Sequence, residues 1–93
     1  MKGETLKVEI IGGIRELLNS EPATREGIKT WSEGAEKVTL LMQMDHGNLG
    51  VPHEFWHYIH DVDIRVKDEE YRRIQVELIN GILDHWSNVV THL

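Results

Sequence analysis

The chain contains no cysteine, which removes disulfides, thiolate metal ligands and a cysteine nucleophile from any account of it. A reducing compartment is compatible with that absence. No apolar run approaches the roughly 18 residues of a membrane-spanning helix, and the amino-terminal MKGETLKVEIIGG lacks the long apolar segment of a signal peptide. A cytoplasmic location is the expectation. Basic residues are in the minority: 10 Lys and Arg against 16 Asp and Glu give a formal charge of -6. Such a field repels a phosphate backbone. The one local basic cluster, Arg65, Lys67, Arg72 and Arg73, is interleaved with Asp63, Asp68, Glu69 and Glu70. Neither nucleic acid nor a membrane surface is therefore an expected partner. There are only two prolines, no internal repeat and no low-complexity tract.

What is present is ordinary soluble-domain material. Apolar residues make up 40% and charged residues 28% of 93 positions, enough for one domain over 1–93 that buries roughly 60 to 65% of its unfolded surface. The apolar spacing predicts an all-α fold, a small bundle of about four helices over 4–18, 24–44, 52–62 and 68–91.

In the first segment Leu6, Ile10, Ile14 and Leu17 follow the four-four-three spacing of one helix face. A strand over residues 5–11 competes with it, because the Gly12-Gly13 pair costs a helix interior about 2 kcal/mol relative to alanine. Asn19-Ser20-Glu21-Pro22 stops the element, since the residue before a proline is pushed away from helical geometry. Ile28, Trp31, Ala35, Val38 and Met42 then form a heptad-like stripe. Thr24 is its expected N-cap, and 38–44 taken alone would also suit a strand. Met42 and Met44 read as core filler, and Gly47 as the C-cap in a loop over 45–50. Pro52 suits the first turn of a third helix. Residues 61–67 read as a connection, with Asp61 and Asp63 as capping residues. Asp68-Glu69-Glu70 opens the last helix with a capping aspartate and two acids at the positive end of the dipole. That helix carries a wide apolar face: Tyr71, Ile74, Leu78, Ile79, Ile82, Leu83, Trp86, Val89 and Val90. It is the expected central element.

One short motif has chemical meaning. His53-Glu54-Phe55-Trp56-His57 resembles the His-Glu-x-x-His signature of zincin metallohydrolases. Residues four apart share a helix face, so two imidazoles can reach one zinc. The glutamate beside the first acts as general base on the zinc-bound water. The resemblance implies His53 and His57 as ligands and Glu54 as base, with zinc as cofactor; it covers five residues of the chain. At about 100° per residue, His57 and His60 fall within about 40° of His53, and Trp56 lies about 60° away. Val51, Phe55, Tyr58, Ile59 and Val62 cluster on the opposite side. A catalytic zinc wants a third ligand and a water-excluding cleft. His60 is two turns from His53, His85 lies too far along the last helix, and Glu77 sits on a polar face.

The first expectation is thus a non-catalytic domain with no cofactor, acting by protein–protein interaction as a homodimer or as an accessory or regulatory subunit. Its contact stripe is His53, Trp56, His57 and His60. Tryptophan is enriched in binding hot spots, and aligned imidazoles make a contact sensitive to pH. The alternative is a zinc-binding protein or zinc-dependent hydrolase with His53, His57 and His60 as candidate ligands and Glu54 as base.

Overall fold

Apolar residues recurring every three or four positions leave each long segment a single stripe to bury, and the chain buries these stripes by folding helix on helix. The computed structural model describes residues 2–45, 47 and 49–88, with side chains from residue 5 onward. Among them are five helices and no strand: α1 Lys2–Asn19, α2 Arg25–Gln43, α3 His53–His60, α4 Val62–Lys67 and α5 Glu69–Asn88. Both possible strands, 5–11 and 38–44, are therefore helical up to Gln43. The expected end of the last helix at residue 91 lies outside the described residues.

Helices α1 and α2 form an antiparallel hairpin, the most extensive helix pair in the fold. Its seam joins Ile10, Ile14 and Leu17 of α1 to Trp31, Ala35, Val38 and Met42 of α2, all buried. The glycine pair does not break α1. Gly13 is where α2 comes closest: a Cβ there would lie 2.6 Å from Val38 Cγ2, whereas one on Gly12 would meet nothing within 4 Å. At the turn, Ser20 donates its N–H and its hydroxyl to the Glu16 carbonyl at 3.1 and 2.7 Å, closing the last turn of α1. The Trp31 indole N–H donates to the Leu17 carbonyl at 3.0 Å across the hairpin.

Some local details differ from the sequence expectation. Thr24 stands at the N-cap of α2 with an extended backbone, but its side chain makes no capping bond. Met44 keeps helical backbone as the C-cap but stands two residues, about 200°, past the buried Met42, so it is 61% exposed instead of filling the core. Gly47 is not the C-cap; Met44 is. Gly47 and Gly50 adopt φ of +83° and +65°, the left-handed geometry that the loop needs and glycine tolerates best. Within that loop the buried Asp45 carboxylate accepts the Leu49 N–H at 2.8 and 3.0 Å.

The largest correction concerns 61–67, expected as a connection. After Asp61 closes α3 by donating its N–H to the His57 carbonyl at 2.9 Å, its own carbonyl accepts from Ile64 and Arg65 at 3.0 Å each and starts α4. Asp61 therefore joins two helices through its backbone, while neither helix end receives a side-chain cap from it. Asp68 does cap α5 as expected, its carboxylate accepting the Tyr71 N–H at 3.0 Å.

Helix α5 packs on α1, α3 and α4, the multiple contacts that its wide face demands. Ile79, Leu83 and Trp86 are buried, but Ile74 and Leu78 are half exposed. Trp86 is the joint at one end: Phe55 of α3 meets it edge-on with ring centroids 5.7 Å apart, and the Lys7 ammonium of α1 lies 4.8 Å over its ring. No helix among the described residues is long and apolar enough to cross a membrane.

Candidate functional site

Helix α3 turns Phe55 and Tyr58, with Val62 just beyond it, into the core, all three buried. Positions three and four apart on that side force the residues between them outward. His53, His57 and His60 are exposed and Trp56 is half-buried, so the histidines run along solvent. The arrangement brings two of them together. The imidazoles of His53 and His57 approach edge-to-face, with centroids 4.7 Å apart and planes at 79°. His60 stands at the end of the helix. Glu54 is exposed and points about 100° around the axis from His53. Among the described residues, no group of three His, Asp or Glu side chains is gathered closely enough to hold a metal ion; His46 and His92 lie outside that set.

The histidine helix is held in place by a polar network inside the fold. Arg65 of α4 has no solvent exposure at all. Its Nε donates to Glu21 Oε1 at 2.9 Å and its Nη2 to Glu21 Oε2 at 3.0 Å, the two-pronged geometry that suits guanidinium and carboxylate. Its Nη1 donates to Gln75 Oε1 at 2.8 Å and to the Tyr58 carbonyl. The guanidinium also lies 4.0 Å from the Tyr58 ring centroid and 5.2 Å from that of Trp31. Tyr58 donates its hydroxyl to Glu21 Oε2 at 2.6 Å. One arginine thus ties α3, α4 and α5 to the α1–α2 turn, with each hydrogen-bonding group matched, as burial of a charge requires. Arg72 supports the same turn, donating to the Pro22 carbonyl at 2.6 Å and lying 3.8 Å from Glu21.

A second cluster sits at the α3–α4 junction. The Asp61 carboxylate accepts the Tyr71 hydroxyl at 2.7 Å and the Gln75 amide at 3.1 Å. Burial pushes this carboxyl up, but those two hydrogen bonds and the charges of His57 and Arg65 outweigh it and hold it below its ordinary range. Burial raises the Tyr58 phenol strongly, and the Glu21 carboxylate reinforces the shift. Both phenols therefore serve as neutral donors.

The sequence reading missed this network. Arg65 falls in the mixed-charge stretch expected as a connection, although Tyr58, Val62 and Arg65 share one face at spacings of four and three. Lys67 and Arg73, both exposed, fit the mixed-charge expectation better than the partly buried Arg72. Arg73 pairs on the surface with Glu70 at 2.6 Å and Glu77 at 3.2 Å. A separate open groove of ≈ 610 Å³ follows the α1–α2 seam past Glu9, Gly13, Glu16, Trp31, Gly34 and Lys37.

No protein-family model matches the chain, no curated protein sequence matches it, and no solved structure matches its fold.

Proposed function

We propose that this chain is a non-catalytic interaction domain of the cytoplasm that self-associates, with α3 as its contact face. One observation carries the reading: three histidines share the outward side of a helix whose other side is core, with Trp56, half-buried and packed partly against that core, on their flank. Aromatic and imidazole rings on a helix offer contact area at little cost in side-chain entropy, since few torsions must be fixed. The internal network supports the same role, because a contact face works best when the element bearing it is already rigid. Two-fold homodimers are the commonest assembly of small soluble chains. The net charge of -6 argues against a nucleic-acid partner.

The test is sedimentation of the untagged protein, purified without chelator, across a concentration series. Trp56→Ala should weaken self-association at least tenfold, corresponding to about 1.4 kcal/mol or more. An unchanged profile for the variant would remove the stripe from the interface. A second reading, a zinc-binding protein or zinc-dependent hydrolase using His53, Glu54 and His57, draws support from the 4.7 Å approach of the two rings. Zinc retention by the wild type and its loss in a His53→Ala, His57→Ala double variant, together with Glu54-dependent hydrolysis, would favour it.

A further inference from the structure

We infer that His53 and His57 form half of a zinc site, completed by the same two residues of a second copy of this chain. The inference rests on the reading of α3 as a self-contact face and adds the ligand that holds that contact together.

Three features point to it. The first is separation. Zinc bonds imidazole nitrogen at about 2.0–2.1 Å in a tetrahedral arrangement, which puts the centroids of two bound rings about 5 Å apart once the ring radius is included. The rings of His53 and His57 are already 4.7 Å apart, so their separation suits a shared ion once rotation about the side-chain torsions turns a nitrogen of each out of the edge-to-face contact and towards it. The second is incompleteness. A structural zinc takes four protein ligands, and the described residues gather no third His, Asp or Glu around this pair. Two ligands per chain on an exposed face become four when a two-fold axis passes through the metal, because each copy then presents the same patch to the other.

The third feature is the surroundings of the pair. Each chain carries a formal charge of -6, so two copies meeting directly repel, and a divalent cation between them offsets part of that repulsion. Trp56, half-buried on the flank of the stripe, supplies apolar surface beside the ion. Asp61 follows His57 by one helical turn, and its carboxylate is fixed by Tyr71 and Gln75 at 2.7 and 3.1 Å. A fixed anion near a ligating imidazole favours the metal-bound form.

Four histidines leave zinc no open position, so the site holds two chains together and does not activate water. That is where it parts from the hydrolase implied by the pentapeptide. Glu54, which that chemistry would need as base, has no part in it.

The experiment is zinc titration of the full chain, freed of metal with a chelator and then exchanged into buffer, read by sedimentation and by bound zinc per chain. The expected result is a doubling of mass that saturates at one zinc per two chains and reverses on adding chelator. His53→Ala and His57→Ala, both at exposed positions, should each abolish the shift with far-UV spectra unchanged, while Glu54→Gln should leave it intact. One zinc per monomer without a change in mass overturns the proposal, as does zinc uptake that survives both histidine substitutions. Association of the metal-free chain that ignores zinc overturns the shared site but leaves the contact-face reading standing. A chain that stays monomeric with and without zinc removes both.

Discussion

Arg65 shows how much a single residue can be asked to hold. A buried guanidinium is tolerable only while its donors are occupied, and here Glu21, Gln75 and the Tyr58 carbonyl occupy them. Arg65→Met keeps the volume but leaves the Glu21 carboxylate at the α1–α2 turn without its main partner, so a loss of about 3–5 kcal/mol is expected in urea unfolding. Adding Glu21→Gln should recover part of that loss, because the penalty comes largely from the uncompensated charge; a double variant as unstable as the sum of the singles would contradict this. Arg65→Lys should not rescue, since an ammonium cannot reproduce the planar fork. Tyr58 gives a pH-dependent signature. Its folded-state pKa is raised above the ordinary 10.0, so the neutral phenol contributes stability that is fully present below pH 10. That contribution is lost as the pH rises above 10 and the unfolded chain, but not the folded one, releases the proton. Tyr58→Phe should cost about 1–3 kcal/mol at neutral pH through the lost bond to a carboxylate. The variant should then decline less steeply than the wild type above pH 10, as measured by unfolding midpoints across that range. Equal slopes would mean that Tyr58 titrates normally in the fold.

At the scale of elements, the two adjacent glycines of α1 separate propensity from packing. Gly12 faces open space and Gly13 faces Val38. Gly12→Ala should therefore stabilise by about 0.5–1 kcal/mol, the usual helix-interior gain. Gly13→Ala should give a net loss of about 1 kcal/mol, because the overlap with a stiff β-branched side chain exceeds that gain. Urea midpoints of the two variants on either side of the wild type are the expected result, and equal stabilisation by both would show that the hairpin seam yields freely. The same pair marks the limit of what sequence pattern reveals. The hairpin was legible because Ile10, Ile14 and Leu17, and Trp31, Ala35, Val38 and Met42, repeat at helical spacing over several turns. The outward face of α3 was legible for the same reason, its histidines falling opposite Phe55 and Tyr58. Helix α4 was not, because six residues hold less than two turns of pattern and their best-buried member is an arginine. Its burial depends on Glu21, 44 residues away, and no local spacing records such a partner. Met44 was misassigned because it follows Met42 by two residues, about 200° around the axis and so opposite the buried stripe of α2.

At the scale of the whole molecule, charge decides how two copies meet. Each carries -6; acids and bases balance within α1 and within α2, so the excess lies in α5 and the residues between helices, while α3 sets one exposed acid, Glu54, beside its imidazoles and indole. Association through α3 therefore gathers rings at the contact and leaves most of the like charge to repel at longer range. Repulsion of that kind is screened once the Debye length falls to about 10 Å at 0.1 M salt. Self-association of the chain should accordingly tighten as salt rises from about 0.01 to 0.15 M, by severalfold in sedimentation equilibrium, with Trp56→Ala weaker at every salt concentration. The opposite trend, weakening with salt, would mean that opposite charges meet across the interface. The acidic faces would then have to be part of it, for example against Arg15, Lys29 or Lys37, which are exposed on α1 and α2. That result would move the contact from α3 to the hairpin, where Val8 and Leu40 are 67% and 55% exposed and could supply its apolar part. The salt series thus asks, without any substitution, whether unlike charges meet across the contact, as they can on the charge-balanced hairpin but not on α3, which carries Glu54 and no lysine or arginine.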